Sequence, residues 1–101
     1  LTFRKSGDVH NALIYSSYAL DVLKTLVYTE GRFEFLGDYA MTKVHQAALL
    51  LTRGERQKAA GLLDGTIPIL KYEHERTHRN DLEETLKTAE KLHQTINWKP
   101  S

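Results

Sequence analysis

Apolar residues recur at helical spacing along almost the whole chain. From Val9 to Glu30 one stripe runs through Val9, Ala12, Leu13, Leu20, Leu23 and Val27, in steps dominated by three, four and seven. A second stripe of Ala12, Ala19, Val22 and Leu26 lies beside it. Two adjoining stripes predict a wide buried face, and so a first helix set between neighbours and not on the rim of a bundle. Ser6 and Asp8 both suit its N-cap, because their side-chain oxygens accept the orphan amide hydrogens of a first turn. Gly31 suits its end. The linker Gly31–Gly37, with Phe33, Phe35 and Leu36, is too apolar for a solvated loop and is expected to fold back onto the bundle.

Asp38 is expected to cap the second helix, with Tyr39 to Arg53 as its body and Ala40, Val44, Ala47, Ala48 and Leu51 as its inner face. Gly54 closes it and Glu55 opens a third helix at once, so the two form an antiparallel hairpin. That third helix carries Ala59, Ala60, Leu62 and Leu63. The stretch Asp64–Pro68 has two readings. A break near Asp64, with Thr66 capping a new helix, is preferred because Gly65 and Pro68 both disfavour continuation; a kinked continuous helix is the alternative. A last amphipathic helix follows from Leu82, Leu86, Ala89, Leu92 and Ile96, with Asn80 or Asp81 as its cap. Residues 66–97 read as one helix or two. Trp98 is expected to lid the bundle. The predicted class is therefore all-α, an antiparallel helical bundle of four or five helices, with more than about two-thirds of residues helical against a usual third. Leu20, Leu23, Ala47, Leu51, Ala59, Leu63, Leu86 and Ala89 are expected to share its core.

Composition narrows the function. The chain has 101 residues, enough for one domain spanning 1–101, and starting at Leu1 it reads as a piece excised from a longer protein. With 41% hydrophobic and 27% charged residues it is globular and not a disordered tail. The formal net charge of +1 lacks the basic excess of a dedicated nucleic-acid binder. The absence of cysteine excludes disulfides and thiolate chemistry. The longest strictly apolar run, Ala47–Leu51, is too short to enter a bilayer, and no secretory signal leads the chain, so an intracellular location is expected.

At Tyr39–Leu70, Ala47, Leu50, Gly54, Ala59 and Leu63 fall on the spacing of small, large, turn-glycine, small and large residues that resembles a tetratricopeptide (TPR) hairpin. It departs from that pattern at Lys43, Thr66 and Pro68. The segment Tyr39–Ile96, with Leu86, Ala89, Glu90, Lys91 and Leu92 in its closing helix, also resembles an MIT domain. Both resemblances imply a protein-interaction module, an adaptor or scaffold that binds a peptide or helix of a partner protein, with no cofactor. A TPR-like hairpin implies that Tyr39, Lys43, Gln46 and Arg53 line the binding face. Their cations and amide would suit an acidic or carboxylate-ended peptide. An MIT-like unit implies a partner helix near Leu70 and Leu82.

Three other constellations carry candidate chemistry. His74-Glu75-Arg76-Thr77-His78 matches H-E-x-x-H, which resembles the zincin metalloprotease motif. On a helix, His74 and His78 would share a zinc ion and Glu75 would polarise its water. Arg76 and Arg79 beside the proposed metal oppose it, and no third ligand stands out among Glu83, Glu84 and His93. A small zinc-dependent hydrolase is thus the alternative to an interaction module, and a structural or dimerisation domain is the third reading. Arg4 and His10 resemble in spacing the arginine-histidine motif of HEPN ribonucleases, but they straddle Ser6-Gly7 and read as solvated. Tyr15 and Tyr18 share one flank of the first helix, away from its apolar stripe. Either they form a contact surface or they are core tyrosines with hydroxyls at the rim, the latter being preferred.

Overall fold

The computed structural model describes residues 6–97, and helical elements occupy 91% of them. The helices are α1 (Ser6–Lys24), α2 (Leu36–Thr52), α3 (Arg56–Thr77) and α4 (Asn80–Asn97). A π-helical turn, Thr25–Thr29, extends α1, and a short 3-10 turn, Phe33–Phe35, leads into α2. The described residues contain no strand. The domain is an all-α bundle in which α3 packs along both α2 and α4, while α1 lies mainly on α2.

One core joins α2, α3 and α4. Ala40, Val44, Ala47, Ala59, Leu63, Leu70, Leu82 and Ala89 are all buried in it. Ala47 and Ala59 are small where α2 and α3 meet, which lets the two backbones approach closely. A lesser cluster of Val9, Leu13 and Leu49 fastens α1 to α2, and Leu50 packs against both clusters. Of the expected core residues, Leu51 and Leu86 are half-buried against the main cluster. Leu20 and Leu23 are half-buried and do not belong to it.

The first helix corrects an expectation. Its buried side is one stripe, Val9, Leu13 and Ser16, flanked by half-buried Ala12, Leu20 and Leu23, and Val22 is exposed. With its main contact on α2 alone, α1 forms the rim of the bundle. The π turn then brings Val27 to full burial before the chain reverses at Gly31.

The turns follow from their hydrogen bonds. At the end of α2 the Gly54 N–H donates to the Leu51 carbonyl and the Glu55 N–H to the Leu50 carbonyl, both at 2.9 Å. This is a Schellman closure, which needs the left-handed backbone that Gly54 supplies at φ +82°. The start of α2 lies at Leu36, so Asp38 sits inside the first turn and is not its cap. Likewise α4 begins at Asn80, which places Asp81 in its first turn. The predicted cap role of Ser6 concerns side-chain placement outside the described residues, as do Arg4 and Trp98.

The preferred break at Asp64–Pro68 does not occur: α3 is a single helix with Pro68 inside it. Its buried positions Ala59, Leu63, Thr66, Leu70 and Glu73 advance by four, three, four and three, an unbroken stripe across the proline. Pro68, Gly65 and Asp64 are exposed on the opposite side. The Asp64 carbonyl, deprived of its N–H partner by Pro68, belongs to this exposed side, where water can reach it. The break comes instead at His78 and Arg79, so residues 66–97 are divided between two helices.

Within that stripe Thr66 is fully buried and its Oγ1 has no hydrogen-bond partner. A buried hydroxyl without a partner costs its desolvation. Thr66→Val, which keeps the branched shape, is expected to raise stability by up to about 1 kcal/mol in a urea titration.

The α3–α4 turn is clamped by Arg79. Its guanidinium donates to both carboxylate oxygens of Asp81, at 3.1 and 2.7 Å, and to Asp38 Oδ1 of α2 at 3.2 Å. The hydrogen bond from Arg79 holds the Asp81 carboxyl below its ordinary value. A carboxylate held low binds fewer protons folded than unfolded. Its stabilising contribution is present above the unfolded pKa near about 3.9 and is lost as pH falls through the folded value. The melting temperature should accordingly drop from about pH 5 to pH 2, and Asp81→Asn should flatten that slope.

Candidate interaction surface

Of the four residues expected to line an open peptide face, Tyr39 is buried, Lys43 and Gln46 are half-buried, and Arg53 is exposed. Tyr39 is buried and meets Tyr28 edge-on, with ring centroids 5.8 Å apart. The Lys43 ammonium lies 4.7 Å from the centre of the Tyr39 ring. The Gln46 amide donates to Ser17 Oγ of α1 at 3.2 Å. Arg53, at the end of α2, pairs with Glu55 at 3.5 Å. Tyr39, Lys43 and Gln46 thus belong to the neighbourhood of the α1–α2 seam, and Arg53 lies apart from them. Leu70 and Leu82 are fully buried, so they offer nothing to a docking helix.

The H-E-x-x-H residues do not share a helical face. His74 lies in the last turn of α3, whereas His78 follows the helix in a left-handed conformation at φ +56°. Their rings stand 6.2 Å apart at 76°. Glu75 is exposed. The neighbouring Glu73 is buried and accepts both donors of Arg76, at 3.0 and 2.8 Å, which holds the Arg76 guanidinium above its ordinary value. Of the third-ligand candidates, His93 points to Asp64 at 2.6 Å. No group of three or more His, Asp or Glu side chains among the described residues is placed to hold a metal ion. His10 is exposed on α1.

The surface that does stand open is the outer side of α1. Tyr15 and Tyr18 are 76% and 72% exposed, and Ile14 and Val22 are 54% and 47% exposed. The preferred reading of Tyr15 and Tyr18 as core tyrosines is therefore overturned. Ile14, Tyr18 and Val22 are spaced four apart and lie in one row, with Tyr15 beside them. This row projects opposite Val9, Leu13 and Ser16, which α2 covers. Neither Ile14 nor Val22 stood out in the sequence as a surface residue. The available signal was the angle: at 100° per residue, both fall within about 40° of Tyr18, far from the buried stripe.

Two further exposed aromatics, Phe33 and Tyr72, flank a cleft floored by Leu36 and closed by the Glu73–Arg76 pair. A groove between α3 and α4, along Ile67, Pro68, Lys71 and Glu90, carries the His93–Asp64 pair and is half polar. Each carries fewer exposed large apolar residues than α1. No helix among the described residues is long and apolar enough to cross a membrane.

No family model, curated protein or solved structure matches this chain.

Proposed function

We propose that this domain is a protein-interaction module and not an enzyme, and that it binds a helix of a partner protein along the outer face of α1. The carrying observation is the row Ile14, Tyr18 and Val22 with Tyr15 beside it, four large apolar side chains left open on one helix. Soluble surfaces scatter such residues singly, and contiguous patches mark interaction sites. Tyrosine suits the role because it offers a large rigid contact area at small entropic cost. A helix face of this kind matches an amphipathic partner helix, which presents its own anchors three and four residues apart.

The scaffold under that face is read as TPR-like or MIT-like. Burial of both Ala47 and Ala59, with Gly54 closing the hairpin, supports that reading. The proposed partner surface differs from the one either family implies: it lies on α1, whereas Leu70 and Leu82 are buried and Tyr39, Lys43 and Gln46 sit on α2 beside α1.

A photo-activated cross-linker at position 15, in cells that express the chain, tests the proposal. One discrete protein adduct is expected, lost when Tyr18→Asp is added while the melting temperature holds. Absence of any adduct, with the cross-linker active in a control protein, overturns the reading.

A further inference from the structure

On the outer face of α1 the residue types on either side of one central tyrosine complement each other. Tyr18 stands at its centre. Moving equally far along the helix in both directions gives Ile14 and Val22, then Asn11 and Thr25, while Tyr15 is matched by Asp21. All of these residues are exposed. If two such helices pack antiparallel across a two-fold axis through Tyr18, every position meets its complement. Ile14 lies against Val22 of the second copy, and the Tyr15 hydroxyl meets the Asp21 carboxylate of the second copy. Asn11 meets Thr25, amide against hydroxyl.

We infer that the helix bound by α1 is α1 of a second copy of this chain, in that antiparallel register. The inference rests on the reading of α1 as an interaction surface and names its occupant. Charge supports it. Asp21 is the charged residue of this face, and the register sets it against a hydroxyl donor and not against its own counterpart. Antiparallel packing also opposes the two helix dipoles favourably. Area supports it too. The four apolar side chains offer on the order of 500 Å² per copy, so two copies together reach about the 1,000 Å² at which specific interfaces begin. The contact is isologous, as a closed dimer requires.

The chain has no cysteine, so engineered thiols report the register without interference. Sedimentation of the purified chain across concentration should show a monomer–dimer equilibrium, weakened at least roughly 30-fold by Tyr18→Asp, with the helical circular dichroism retained. Under mild oxidation Tyr18→Cys should link to itself, and Ile14→Cys mixed with Val22→Cys should link to each other. Ile14→Cys alone should link poorly, because its two copies would stand about 12 Å apart along the axis, beyond disulfide reach. A chain that stays monomeric to about 0.5 mM overturns the inference, since that bound leaves an interface weaker than specific dimers have. A dimer that survives Tyr18→Asp, or efficient self-linking of Ile14→Cys, overturns it as well. The two readings fail separately. A monomeric chain whose position 15 still cross-links to a different protein leaves the interaction module standing and removes the second copy.

Discussion

Leu63→Ala should cost about 2–5 kcal/mol of folding stability, among the largest losses expected from truncating a single side chain in this domain. Leu63 is fully buried on α3 in the cluster shared with α2 and α4. Truncation there removes transfer energy and leaves a cavity walled by three helices. Backbones already drawn close by Ala47 and Ala59 have little room to collapse into it. Leu51→Ala should cost about half as much, because Leu51 is half-buried and water can enter the space it leaves. Denaturant titration of the two variants side by side gives the comparison. Equal losses would mean that Leu51 carries as much of the core as Leu63.

Pro68→Ala should act in the opposite direction, raising stability by about 1–3 kcal/mol. Proline inside a helix removes one hydrogen bond and crowds the carbonyl four residues earlier, here that of Asp64. Alanine restores the bond and relieves the crowding. Part of the gain is offset because proline also stiffens the unfolded chain. The site is exposed at the rim of the α3–α4 groove, so little packing is lost with the ring. A lower melting temperature in the alanine variant would mean that α3 depends on the proline for its path across α2 and α4.

Pro68 also shows where sequence reasoning stopped short. Gly65 and Pro68 are true local breakers, and weighing them alone favours two helices. The stripe Leu63, Thr66, Leu70 and Glu73 runs through them with helical spacing. Burying Leu63 and Leu70 in one core outweighs a proline whose orphaned carbonyl can be hydrated. Thr66 and Glu73, being polar, hid that stripe from a count of apolar residues. The α2–α3 hairpin was legible for the converse reason: Gly54, the adjoining Glu55 and the alanines at the crossing all point the same way. The π turn at Thr25–Thr29 had no sequence signal, since its residues are ordinary and the extra residue per turn is absorbed by the hydrogen bonds from Glu30 and Arg32.

The interaction surface was half legible. Tyr15 and Tyr18 stood off the apolar stripe of α1 and were recognisable as a flank. Val22 continues the apolar stripe of Ala12, Ala19 and Leu26 in sequence, because alanine and valine keep a helical period whichever side they face. Where the expected binding residues on α2 sit relative to α1 is a tertiary fact that the spacing along α2 does not carry. The Gln46–Ser17 hydrogen bond, the Tyr28–Tyr39 contact and the Leu49 packing place α1 and its π turn beside that flank. His78 illustrates the same limit at shorter range. The motif spacing assumes a continuing helix, whereas the Arg79 clamp to Asp38 and Asp81 belongs to a turn that ends it.

The unequal anchoring of α1 bears on how the native state opens. Helices α2, α3 and α4 share one buried cluster, so their interior amides should exchange with solvent only through near-global unfolding. α1 is held mainly by Val9, Leu13 and Leu49 and by the closing residue Val27. Its amides should exchange through a cheaper, sub-global event in which it lifts from α2 as a unit. The domain then behaves as two cooperative layers, a stable three-helix foldon and a looser outer one. Whatever occupies the tyrosine face must first hold that outer layer down, so part of its binding free energy appears as slowed exchange along α1 and a higher unfolding temperature for that helix alone.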